Sequence, residues 1–216
     1  LDGFDGPFTK LSEEVKPPAG RITDVQKPSG YLLSHEVNDS FVAVNRLLQS
    51  REDVYWVKNS FSANGKTYAA GTHFITAKPG TLAKLQRLAQ EIGLSFDGIS
   101  VKPAGDAFAL RPPRIALWDR AGGSAPSGWT RYILEKFEFP HTVTFADVLE
   151  QPNLAQKFDV LILVDDATTV PVPQLKAFLE EGGTILAIGD STRLAYQLNL
   201  PVTDALSNFP RRDFYV

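Results

Sequence analysis

Residues 114–140, RIALWDRAGGSAPSGWTRYILEKFEFP, carry the reading on which the fold turns. A short apolar run ends at Trp118-Asp119, a loop rich in glycine and serine follows, and Trp129, Ile133 and Phe137 then recur at helical spacing. That order predicts a buried strand, a turn and a helix whose inward face carries those three residues. The same alternation continues downstream. HTVTFAD (141–147) reads as a weaker strand, KFDVLILVDD (157–166) as a strong one and TILAIGD (184–190) as another. Between and after them, VPVPQLKAFLEEGG (170–183) is a helix with Pro173 in its first turn and Gly182 beyond its end, and STRLAYQLNLP (191–201) is a further helix. Near-continuous apolar strands alternating with helices imply a parallel sheet with helices on both faces, a flavodoxin-like arrangement over residues 114–216. Four strands are few for such a sheet, so the domain is expected to be truncated at its C-terminus, with RRDFYV (211–216) able to open another strand.

Upstream the pattern differs. Residues 102–113, KPAGDAFALRPP, are rich in proline and glycine and form the expected boundary. Residues 30–101 read as a small α/β module. GYLLSH is a strand, and Asn38 or Asp39 caps a helix through Gln49 with Phe41, Val44, Leu47 and Leu48 on one side. Asn64-Gly65, between two β-rich runs, is the strongest short signal for a hairpin. TLAKLQRLAQEIG is a second helix, with Leu82, Leu85, Leu88, Ala89 and Ile92 in one stripe and Gly93 ending it. Residues 1–29, interrupted by Pro17-Pro18 and Pro28, read as an extended linker or strap.

Composition narrows the function. The net charge of −3 lacks the basic excess of a nucleic-acid binder. No apolar run approaches the roughly 20 residues that cross a bilayer. The chain contains no cysteine, which excludes disulfides, thiolate nucleophiles and cysteine–zinc sites. It also has no methionine and starts at Leu1, so it is expected to be a piece of a longer protein.

In an open parallel sheet, ligands sit outside the carboxyl ends of the strands. The candidate cleft is therefore Asp119, Arg120, Gly122, Gly123, Ser124 and Ser127 on the first loop, Asp165 and Asp166 after the central strand, and Gly189, Asp190, Ser191 and Thr192 after the last. Three uses are open. The glycine loop could cradle a phosphate on the following helix N-terminus, although DRAGGSAPSG fits no dinucleotide or P-loop pattern; its simpler use is a turn with Ser124 or Ser127 as helix cap. The four aspartates could hold a hard cation, or could equally cap the next elements. Ser191, on a strand-to-helix turn, could be a nucleophile; the second glycine of the elbow pattern is missing, and a capping role for Ser191 or Thr192 is simpler. His35, His73 and His141 stand in no metal-ligand spacing, so no metal or cofactor is expected in this chain.

Residues 29–58, residues 112–140, within them SGWTRYILEKFEFP most distinctively, and KFDVLILVDD together resemble the region after the catalytic domain in large bacterial zinc carboxypeptidases of the carboxypeptidase A-like superfamily, which carry a C-terminal class I glutamine amidotransferase-like domain. The resemblance runs over most of the chain. It implies a zinc peptidase domain upstream of Leu1, which would be this region's partner, and a secreted or periplasmic location. It also implies that the cysteine of a true amidotransferase is replaced here by Gly189, and no histidine follows His141 to complete such a site. The expectation is a non-catalytic accessory region that packs on its peptidase or binds a partner or ligand. The alternatives are a small-molecule or sugar-binding domain using the cleft, and a serine hydrolase using Ser191. Oligomeric state is left open.

Overall fold

The structure is a computed structural model that describes residues 6, 12–15, 18–165, 167 and 170–203. Asp166 and RRDFYV lie outside them. The chain forms two compact units, Leu1–Arg111 and Pro112–Val216, and its class is mixed α/β, with one mixed and one parallel sheet.

In the first unit the strands are β1 (Ile22–Thr23), β2 (Gly30–Leu33), β3 (Val54–Val57), β4 (Phe61–Ala63), β5 (Lys66–Tyr68), β6 (His73–Thr76), β7 (Phe96–Ile99) and β8 (Ala107–Ala109), with helices α1 (Asp39–Gln49) and α2 (Thr81–Ile92). Six strands pair in the order β1-β7-β2-β6-β3-β8. Only β1 and β7 are parallel; the other pairs are antiparallel. β1 lies in the stretch expected as a strap, and β8 in the stretch expected as a link, so both contribute edge strands. The alternation of side chains along β2 explains the layers. Tyr31 and Leu33 join Ala43, Val44 and Leu47 of α1 and Leu85, Leu88 and Ala89 of α2 in one core. Leu32, between them, packs with Phe74 and Ile99 on the opposite face, under the β4–β5 hairpin.

That hairpin forms where Asn64-Gly65 placed it. Asn64 and Gly65 take φ of 51° and 72°, the left-handed pair that a two-residue turn needs. The Asn64 side chain donates to the Gly98 carbonyl at 2.8 Å, and Tyr68 donates to Asp97 at 2.9 Å, so the hairpin is tied to β7. Burial pushes the Asp97 carboxyl up, but bonds from Tyr68 and Lys66 outweigh it and hold the group below the ordinary range. The Tyr68 phenol is pushed up to about 12 by burial and then by Asp97.

Two expectations for α1 are corrected. Neither Asn38 nor Asp39 caps it: Asn38 is already helical and its side chain makes no cap bond. Phe41 is exposed, and Val42 and Ala43 are buried instead. The helix is flanked by a polar device that the hydrophobic pattern cannot show. Glu52, just after α1, is buried and accepts from Thr81 Oγ1 at 2.7 Å and Lys84 Nζ at 2.5 Å, which joins the end of α1 to the first turn of α2.

In the second unit the strands are β9 (Ile115–Trp118), β10 (His141–Thr144), β11 (Val160–Leu163) and β12 (Thr184–Ala187), with helices α3 (Ala125–Lys136), α4 (Ala146–Leu149), α5 (Leu154–Lys157), α6 (Val172–Glu180) and α7 (Leu194–Gln197). The sheet order is β10-β9-β11-β12 and every pair is parallel. Residues 115–118 and 161–164 are buried with Leu175 and Phe178 of α6 in one core. Arg114 fixes the entry to β9: its guanidinium grips the Asp159 carboxylate through Nε at 3.1 Å and Nη2 at 2.8 Å. The expected inward face of α3 is corrected. Trp129 and Ile133 are exposed and Phe137 is half-buried, while Ser127 and Leu134 face the core.

His73 makes the first unit sensitive to acid. Burial lowers its pKa from 6.5 to about 4, helped by neighbouring His35 and opposed by a bond to the Leu33 backbone. The folded state therefore keeps it neutral while the unfolded chain takes up a proton below 6.5. Stability should be complete above that value and fall by on the order of 3 kcal/mol as pH drops towards 4. Urea denaturation at pH 7 and 4.5 measures this, and in His73→Gln the slope with pH should flatten over that window.

Candidate functional site

The strand order of the second unit reverses between β9 and β11, which makes the space beyond their carboxyl ends the topological switch point. Parallel register sets Leu117 beside Ile162 and Leu163 beside Ala187. Asp119, Asp165 and Gly189, each just past a strand, therefore leave the same edge of the sheet.

The first loop closes on itself. The Asp119 amide donates to the Thr144 carbonyl at 2.9 Å, and its carboxylate accepts from the Arg120 amide at 2.8 Å. Gly122 and Gly123 run through the left-handed region, and the Gly123 amide returns to the Arg120 carbonyl at 2.9 Å. The Arg120 guanidinium Nε donates to the Gly123 carbonyl at 3.1 Å. Ser124 is the N-cap of α3, its hydroxyl accepting the Ser127 amide at 3.2 Å. Pro126 has no amide proton to give. Two of the donors that a phosphate would need at this helix start are thus spent or missing, and the loop's observed work is to turn the chain.

The second group is tighter. Gly189 adopts a φ of 63° at the turn out of β12. The Asp165 carboxylate accepts the Asp190 amide at 2.6 Å. A Cβ built on Gly189 would overlap that carboxylate. Ser191 is buried and its hydroxyl donates to the Val164 carbonyl. Thr192 donates to the Gly189 carbonyl at 2.7 Å, and Arg193 lies 3.8 Å from the Asp190 carboxylate. Neither Ser191 nor Thr192 caps a helix through its side chain, because residues 189–193 form a 3-10 turn and the α7 N-cap is Arg193 without such a bond. That expectation is corrected: both hydroxyls instead donate to carbonyls.

Among the described residues of this unit, no histidine stands beside Ser191. His141 begins β10, at the amino end of the sheet, with Nδ1 3.1 Å from the Phe139 carbonyl oxygen. Ser191 lies at the carboxyl end, more than a four-residue strand or about 13 Å away along the sheet direction. Among the described residues, no three His, Asp or Glu side chains gather in a way that would hold a metal ion. Asp166, the fourth expected carboxylate, lies outside them. Cavities of about 530 and 630 Å³ are in the first unit and one of about 250 Å³ is bordered by α5 and α6; none of these three is lined by Asp119, Asp165 or Ser191.

One polar group here was missed from sequence. Trp118, the last residue of β9, has its indole N–H buried without a hydrogen-bond partner. The one available signal was a tryptophan at a fully apolar strand end beside the switch point.

The chain matches no family model, no curated protein and no solved structure. Among the described residues no helix is long and apolar enough to cross a membrane. The site geometry makes Ser124 a structural cap, so Ser124→Ala should lower stability by about 1 kcal/mol in chemical denaturation, with no change in any binding or catalytic assay.

Proposed function

We propose that this chain is a non-catalytic accessory region of a zinc carboxypeptidase-like protein, and that its second unit is an amidotransferase-type, flavodoxin-like scaffold without a nucleophile. One observation carries the reading. At the turn after β12, where such an enzyme presents its attacking side chain, this chain has Gly189, and the Asp165 carboxylate fills the space a side chain would take. Nucleophilic catalysis needs a group that attacks and a base that activates it. Here the neighbouring hydroxyl, Ser191, is buried and bonded to a backbone carbonyl. The strand order β10-β9-β11-β12 supports the flavodoxin-like comparison, since in chain order it reads second, first, third, fourth.

On this reading zinc and peptide hydrolysis belong to the upstream domain of the parent, in a secreted or periplasmic setting, and this region contributes packing or partner binding. The fold alone does not give that role; it rests on the resemblance together with the closed turn. The test is hydrolysis of glutamine, peptide and ester substrates by the purified chain, with and without added zinc. The rate should equal that of a heat-denatured control. Turnover above that control which disappears in Ser191→Ala would replace this reading with the hydrolase one, and zinc-dependent turnover would place the metal site in this chain.

A further inference from the structure

In the first unit the rings of His35, His73 and Trp56 gather around Gly71. The antiparallel register sets Leu33 of β2 opposite His73 of β6, and Trp56 of β3 opposite His73 on its other side. Two residues beyond Leu33, the His35 ring reaches Gly71. A Cβ built on Gly71 would lie 3.1 Å from His35 Nδ1 and 2.8 Å from Trp56 Nε1. Gly71 stands two residues before His73, the interval at which residues along a strand share a face. Without a side chain at 71, the imidazole of His35 and the indole of Trp56 close over the chain next to His73.

Both imidazoles have a nitrogen to spare. Nδ1 of His35 and Nδ1 of His73 are buried, and neither has a hydrogen-bond partner. His73 as a whole is only 6% exposed. A buried ring nitrogen left unpaired is costly, and two of them on neighbouring strands call for one group that serves both. Burial, helped by the neighbouring His35, keeps His73 uncharged at neutral pH, so no proton has to leave before its ring binds a cation. Neutral imidazole suits the borderline divalent cations Zn2+, Ni2+ and Cu2+, with Cu2+ held most tightly, whereas hard cations take oxygen. Spacing in the sequence hides this pair, because strand pairing rather than a local motif brings positions 35 and 73 together.

We propose that His35 and His73 together hold one divalent late-transition cation through their Nδ1 atoms, with water in its remaining positions and the Trp56 indole beside it. The proposal does not rest on the accessory-region reading, since it concerns binding in the first unit and requires no turnover.

Calorimetric titration of the untagged 216-residue chain with Zn2+ at pH 7 tests it. One equivalent should bind with a Kd of about 10 µM or tighter. His35→Gln and His73→Gln should each weaken binding at least about tenfold, while His141→Gln, in the second unit, should leave it unchanged. His35 is only partly buried, so its variant decides the matter even where His73→Gln fails to fold. Cu2+ supplies a second readout. Bound at this pair it should quench the emission of Trp56, and the quenched fraction should vanish in Trp56→Phe although the other tryptophans remain. A chain that takes up no Zn2+ at about 1 mM overturns the proposal. So does Zn2+ binding that is indifferent to His35→Gln, or Cu2+ quenching that persists in Trp56→Phe.

Discussion

The carboxylate of Asp165 accepting the Asp190 amide is the contact around which the tip of the parallel sheet is organised. One residue earlier the Val164 carbonyl takes the Ser191 hydroxyl. The end of β11 thus absorbs the donors of two successive residues after β12, which fixes the turn out of the sheet. A side chain at position 189 would enter the volume the carboxylate occupies, and the backbone there is in the left-handed region that favours glycine. The turn is stable in this form because its first residue has no side chain, and for the same reason that position cannot present a reactive group.

Most of the layout follows from patterns readable in one dimension. The stripe Leu85, Leu88 and Ala89 in α2 and the left-handed Gly93 after it are local features, set by helix period and by the conformational freedom of glycine. Asn64-Gly65 likewise determines its turn without help from the rest of the chain. The parallel sheet was legible because strands buried on both faces must be apolar throughout, as IALW and VLIL are. The readings that missed were those in which periodicity names a face without saying what covers it. Trp129 and Ile133 have the spacing of a core stripe, yet the sheet meets α3 through Ser127 and Leu134. Phe41 is displaced in the same way by smaller neighbours, Val42 and Ala43.

The polar devices were the least legible. Glu52 meets Thr81 and Lys84 across about thirty residues of chain, so nothing local in the sequence marks it. Nor could spacing alone decide between a cap and a donor for Ser191, since both place a hydroxyl on a strand-to-helix turn; the Val164 carbonyl decides it. That Asp119, Asp165 and Gly189 leave one edge of the sheet was legible, because it follows from the parallel topology. What its groups do there depended on which backbone partner each had already taken.

The account stands on the claim that Asp165 occupies the space of a side chain at position 189. A double-mutant cycle in stability measures this directly. Gly189→Ala carries a cost of roughly 1 kcal/mol from its backbone conformation in any background. In the native chain the displaced carboxylate adds to that cost, whereas in Asp165→Ala it does not, so the two backgrounds should differ by at least about 1 kcal/mol. Equal costs in both would mean that the position is open, and that the turn after β12 could carry a reactive group after all.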